Sequence, residues 1–243
     1  MRSLRRTLLG TVLAAGMLVT MTGCVGVWPF NSPKTTYVND AGDEVTVDWR
    51  DFPGTVGIEI EQVFDAPSVE QTAAREREAL AAVQEALEQF VEEPGSWESV
   101  GEGGWFTNGD NGYYGTSMLQ TYNSPSWQFE VTIPVSSWDS VLDAAEEALA
   151  ELGMTHRYDD EFDSTVSDWL RSATFSAGPE FLSISVEDAA LDPQALGEAQ
   201  GEDRMIAGIT LFYGTSTIAE GERAEFEQRV APYLGLEMPE ATS

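Results

Sequence analysis

The chain has 243 residues, 42 of them acidic against 12 basic, for a formal net charge of −30 with Lys34 as its one lysine. A field of that sign repels nucleic acid and anionic lipid headgroups, so neither is expected as a direct partner. An apolar content of 42 % with seven tryptophans is enough to fill a core, which argues against disorder.

At the start of the chain Arg2, Arg5 and Arg6 precede an uncharged stretch from Thr7 to Val19, and Met21-Thr22-Gly23-Cys24 follows. A basic start, a short apolar run and small residues at a cut read as a secretory signal peptide over 1–23, too short to be a spanning helix. Small residues followed at once by cysteine resemble the lipobox of bacterial lipoproteins, in which Cys24 becomes the acylated first residue, with palmitate among its chains. The resemblance implies a lipid anchor at the extracytoplasmic face of the cell membrane. Burial of acyl chains contributes about 0.8 kcal/mol per CH₂, so two or more chains hold stably. Arg5-Arg6 also fits a loose twin-arginine pattern, leaving export by general secretion or in the folded state open. Cys24 is the only cysteine, so no intramolecular disulfide can form. Residues 24–34, broken by Pro29 and Pro33, read as a short lipidated tether, and 35–238 as a single α+β domain.

Within that domain, Thr36–Val38 and Glu44–Trp49 flank a turn-rich insert and predict a hairpin. Val56, Ile58 and Ile60 alternate with Gly57 and Glu59, the period of a half-buried strand. Ser68 to Gln71 has capping-box spacing, and Leu80, Val83, Leu87, Phe90 and Val91 share one helical face up to Pro94-Gly95. A Gly-rich stretch, 95–112, leads to Tyr113–Tyr122 and Trp127–Ile133, which read as an antiparallel pair turning at Asn123–Ser126. Ser136 or Ser137 caps a second helix with Trp138, Val141, Leu142, Ala145, Leu149 and Leu152 inward, stopped by Gly153. Ala173–Ala177 and Phe181–Val186 form a hairpin through Gly178-Pro179. Asp188–Asp203 reads as a polar loop with a helical turn, Met205–Tyr213 as a strand and Glu220–Val230 as a last helix.

The expected fold class is therefore α+β: an antiparallel sheet with helices packed on one face, in the ferredoxin-like split βαβ order, with extra strands and a C-terminal helix. The helix–hairpin unit occurs twice, over 68–133 and 137–186, as two half-repeats of architecture.

Chemistry is harder to find. His156 is the only histidine, which excludes a two-histidine zinc site, and no Gly-x-Ser-x-Gly elbow, Walker A loop or dinucleotide fingerprint is present. No enzyme, cofactor or metal is expected. Two acidic segments, 108–112 and 159–168, could supply oxygen ligands to a divalent cation, but neither has the glycine and terminal glutamate of an EF-hand loop. A pair of buried carboxylates facing each other in a cleft would favour hydrolysis instead. The best ligand-binding candidates are Trp97, Trp105, Phe106 and Tyr113 in the Gly-rich segment 95–114, where rings beside hydrogen-bonding groups suit sugar faces or peptide side chains. The alternative is that these rings seal an edge or face of the sheet.

Acid-rich, lysine-poor sequence with helix–hairpin units resembles the small lipoproteins of actinobacteria, the LppA-like group among them. That resemblance implies an envelope lipoprotein and carries over no residue's role. Two functions follow as expectations. The first is a non-enzymatic, membrane-anchored module that binds another envelope protein. The second is a small-ligand or carbohydrate-binding lipoprotein that uses loop 95–114.

Overall fold

Lys34–Val38 (β1) and Glu44–Asp48 (β2) pair antiparallel as expected, with Gly42 at φ +86° in the turn. The computed structural model describes residues 31–39, 41–91, 95–159, 168–202 and 204–242. The expected signal peptide, Cys24 and the first part of the tether lie outside the described residues, as does the acidic run 160–167. Among the described residues no helix is long and apolar enough to cross a membrane.

The alternation at 56–60 is not a strand. Ile58 N–H donates to Thr55 O, Gly57 sits at φ +83°, and Ile60–Asp65 form a helix, α1. Glu59 and Gln62 make a reciprocal capping box at its start, which turns the isoleucine spacing into a helix face with Ile60 and Val63 buried. The cap spacing Glu59-x-x-Gln62 competes with the period-two signal and wins.

Val69–Leu87 (α2) begins at Ser68, whose N–H donates to Gln71 Oε1, and buries Ala79, Leu80, Val83 and Leu87. Trp138–Ala150 (α3) buries Trp138, Val141, Leu142, Ala145 and Leu149 and ends at Gly153, φ +84°. Both helices lie on one face of a sheet built from Glu98–Val100 (β3), Gly104–Thr107 (β4), Gln120–Asn123 (β5), Ser126–Glu130 (β6), His156–Asp159 (β7), Leu170–Ala177 (β8), Glu180–Asp188 (β9) and Ala207–Thr217 (β10). Every ladder is antiparallel.

Here the structure departs from the expected hairpin. β5 and β6 do not pair with each other. Both lie against β10, with Asn123 opposite Gly214 and Trp127 opposite Leu211, so the residues between them form a bulge in one long strand. Ser124 carries the join: its N–H donates to Tyr213 O, and its Oγ accepts from Tyr213 N–H, both at 2.9 Å. The next residue, Pro125, has no N–H to give the ladder, and bulges are among the few places a sheet tolerates proline. Ser-Pro fits a turn and a bulge equally, so local sequence does not separate them.

β3 and β4 continue one another in the same way along the outer side of β6 and β5, broken at Gly101, φ +84°. A Cβ at Gly103 would stand 2.7 Å from Pro125 Cδ, so glycine allows the two bulges to lie side by side. The sheet order is thus β3/β4, β5/β6, β10, β9, β8, β7. The strand that the split βαβ order requires ahead of α2 is replaced by α1, and β10, from the C-terminal part of the chain, takes the central place. The α+β class with helices on one face stands; that detail of strand order does not.

The main core lies between α2, α3 and the sheet, with Phe175, Leu182, Ile184, Ile209 and Leu211 inward. A second cluster gathers Trp49, Phe52, Tyr113, Phe226 and Tyr233 around α1 and Arg223–Val230 (α5). The polar stretch after β9 is more regular than a loop. Asp192 caps Pro193–Gly201 (α4), accepting from Gln194 and Ala195 N–H with proline at the first helical position.

Candidate functional site

The four aromatic residues singled out by the sequence do not share a concavity. Trp97 is half-buried against Phe129, ring centroids 5.3 Å apart, at the margin of the main core. Tyr113 is a correction: it is wholly buried in the second core beside Trp49, and its hydroxyl donates to Pro239 O at 2.7 Å. Trp105 and Phe106 remain accessible, at 37 % and 57 % exposure, and both belong to β4.

Strand geometry sends those two side chains to opposite faces. Trp105 stands opposite Tyr122 with ring centroids 5.1 Å apart, and Tyr122 donates its hydroxyl to Glu76 Oε2 of α2 at 2.8 Å, so Trp105 is on the helix-covered side. Phe106, opposite Thr121, is on the open side, as are Val100 and Glu98 of β3. Every residue of β3 and all of β4 except Gly104 is exposed. No backbone hydrogen bond beyond the sheet ladders is recorded for residues 98–107 among the described residues. Among the described residues β3 and β4 therefore form a bare edge of the sheet.

Beside this edge, on the open face, lies a groove of about 600 Å³ whose lining includes Glu98, Val100, Gln128, Glu130, Glu202 and Arg204. Arg204 is 3.2 Å from Glu202, so the one cation of the lining among the described residues is already paired. The open face opposite the helices carries hydroxyls, with Thr174 and Ser183 bonded to each other across the sheet at 2.7 Å.

Two acids are buried between α2 and the sheet. Glu180, 3 % exposed, receives Arg75 Nε–H at 2.8 Å and the Tyr213 hydroxyl at 2.9 Å; Glu76, 8 % exposed, receives Tyr122. Neither lines the groove beside β3 or the two smaller cavities at the second core. Their oxygens are committed to anchoring α2 on the sheet. Arg75 also donates to Leu152 O, so one side chain joins α2, β9 and the end of α3. His156 is exposed at the start of β7.

The buried tyrosines carry a pH dependence. Burial pushes the Tyr122 hydroxyl up to about 12, with Glu76 adding to it, and burial first of all raises Tyr113 and Tyr233 to about 12. Burial and the neighbouring Glu180 push Tyr213 up as well. In the unfolded chain each would ionise near its ordinary value, about 10. Stability is therefore full below about pH 10 and falls as pH rises towards 12, because only the unfolded state loses protons there. Melting temperatures across that range are expected to drop together with a rise in tyrosinate absorbance. Tyr122→Phe/Tyr213→Phe should flatten the drop, and an equal drop in that double variant would refute the assignment.

The segment 108–112, a candidate cation loop by sequence, spends its oxygens internally. Asn108 Oδ1 accepts from Thr121, Asp110 Oδ1 accepts from Gly112 N–H, and Asn111 is wholly buried. Asn111 Nδ2 reaches Trp49, Arg50 and Phe52 carbonyls, while its Oδ1 accepts from Tyr113 and Gly115 N–H. Sequence reasoning missed this hub, since an asparagine in a Gly-rich loop looks the same whether it points in or out. Among the described residues no three acidic, histidine or cysteine side chains converge as a metal site.

A family model described as LppA, a lipoprotein confined to pathogenic Mycobacterium, matches residues 50–165. Over that span the chain is LppA-like. The matched residues run from the second core through α2, both bulged strands and α3, so they include the exposed edge. The crystal structure of LppA from Mycobacterium tuberculosis aligns over 66 % of this chain and 83 % of its own, at 12 % identity and a TM-score of 0.35, and nothing is carried over from it. No curated protein matches the chain.

Proposed function

We propose that the chain is a non-enzymatic binding module of the cell envelope, held at the extracytoplasmic face of the membrane through lipidated Cys24, whose partner is another envelope protein. One observation carries the reading: a bare sheet edge with an accessible aromatic ring on each of its faces, in an otherwise strongly acidic molecule. Of nine exposed large hydrophobic residues among those described, three, Val100, Trp105 and Phe106, fall within seven positions of that edge. Single exposed apolar residues are ordinary, but two neighbouring rings on unpaired backbone, one to each face, offer a partner both backbone and apolar contacts. The non-enzymatic part rests on the acids best placed for chemistry, Glu76 and Glu180, being committed to Tyr122, Tyr213 and Arg75.

Photocrosslinking in the native envelope tests it. A photoreactive phenylalanine analogue in place of Phe106 should give a discrete adduct with another envelope protein, and Trp105→Ala in the same chain should remove it. The same analogue in place of Tyr158, exposed on β7 at the opposite edge, serves as the control. Absence of an adduct from position 106, or equal labelling from 158, would sink the proposal.

A further inference from the structure

We infer that the partner engages this edge by strand addition: an extended segment rich in lysine or arginine pairs its backbone with β4 and lays its alternate side chains against Trp105 and Phe106. This rests on the binding reading above and names its mode.

The edge itself is the first argument. An unpaired strand presents a row of N–H and C=O groups that will template another strand unless something blocks them. The usual blocks are charge, proline, a bulge or a very short strand. The bulge at Gly101–Gly103 and the charge of Glu98 guard β3; β4 is limited only by its length of four residues, since Gly104-Trp105-Phe106-Thr107 contains neither charge nor proline. β4 is the open part of the edge.

Side-chain placement is the second. Trp105 and Phe106 lie on opposite faces, so successive residues of an added strand would each meet a ring, one beside Tyr122 and the other on the open face. A ligand held by one flat ring would need only one of them.

Charge decides the occupant. Glu98, Glu130 and Glu202 line the groove that continues from the edge along the open face, and their one cationic neighbour there is taken up by Glu202. A lysine or arginine a few residues along the added strand reaches this groove. A second copy of the chain is opposed by the same term, since each copy carries a formal charge of −30. A basic extended segment is the partner chemistry that both the backbone and the field accept.

The test uses the full chain and three synthetic peptides of about ten residues, a common strand length: alternating Lys-Val, alternating Glu-Val, and Lys-Val with every backbone amide N-methylated. The Lys-Val peptide should bind with an affinity that falls as salt rises, and should slow amide exchange within 104–107. N-methylation should weaken binding at least about tenfold, and so should Trp105→Ala/Phe106→Ala, the scale expected of anchor residues. Equal binding of the N-methylated peptide would overturn strand addition by showing attraction through charge alone. Equal binding of Glu-Val would overturn the basic preference, and protection elsewhere or nowhere would remove β4 as the site. An adduct from position 106 without peptide protection leaves the binding role standing and discards its mode. Peptide protection with no adduct in the envelope removes the partner, and this mode with it, while showing that the edge itself accepts a strand.

Discussion

Asn111→Asp is expected to destabilise the fold more than Asn111→Ala, an order opposite to what similarity of shape suggests. The amide nitrogen of Asn111 faces three carbonyl oxygens, of Trp49, Arg50 and Phe52, at 3.0, 3.1 and 2.7 Å. Its oxygen faces two N–H groups, of Tyr113 and Gly115, at 2.9 and 3.0 Å. Alanine removes the amide from three carbonyls, of which Trp49 O keeps the Phe52 N–H, and from two N–H groups; at about 1–3 kcal/mol for each unsatisfied group, a loss of at least about 4 kcal/mol is expected. Aspartate keeps the acceptor but turns the donor into a second oxygen aimed at three carbonyls in a site closed to water. Burial of a charged carboxylate against three carbonyl oxygens is costlier than loss of a neutral bond. For a domain of this size the alanine variant should lose roughly 10 °C in melting temperature, and the aspartate variant more. Gly115→Ala tests the same junction from its other side, since a Cβ there would lie 1.8 Å from Arg50 O. If Asn111→Asp melted as the parent chain does, the hub would not be holding 49–52 to 111–115.

The second large effect belongs to Arg75. Arg75→Met should destabilise by about 3–5 kcal/mol, because it leaves Glu180 buried without its cation. The Glu180 side chain is 4 % exposed and is held by Arg75 at 2.8 Å. Once the guanidinium is gone, only the Tyr213 hydroxyl remains to that carboxylate among the recorded bonds. Arg75→Met/Glu180→Gln should recover much of the loss, since a neutral amide keeps a bond to Tyr213 without the uncompensated charge. Chemical denaturation of both variants and of Glu180→Gln alone completes the cycle. Additive losses in the double variant would show that the pair is not coupled.

These two side chains also explain why so little of the site could be read in advance. Helices α2 and α3 and the β8–β9 hairpin were legible because their signals are local. Ser68 and Gln71 lie one turn apart, the apolar residues of α3 repeat at helical spacing, and Gly178 at φ +59° with Pro179 closes a two-residue turn. The same local reading failed at 56–60, where a capping box and a period-two pattern overlapped, and at Ser124-Pro125, where a turn and a bulge share one composition. Of the four aromatic candidates, composition alone marked all alike. Trp105 and Phe106 stayed accessible because they landed on the outermost strand. Tyr113 entered a core because Asn111 folds its loop over Trp49.

By itself the sequence determined an acidic α+β chain with two long amphipathic helices, the capping spacing of the first and the β8–β9 hairpin, because each depends on contacts a few residues apart. Only the tertiary structure decided that β10 runs through the centre of the sheet, that β5 and β6 are one bulged strand, and that β4 is left bare at the edge. The physical reason lies in the ladder. A strand's periodicity says which side chains face inward, whereas its backbone groups accept any neighbour, so packing of the whole chain chooses which strands are paired on both sides and which are left at an edge.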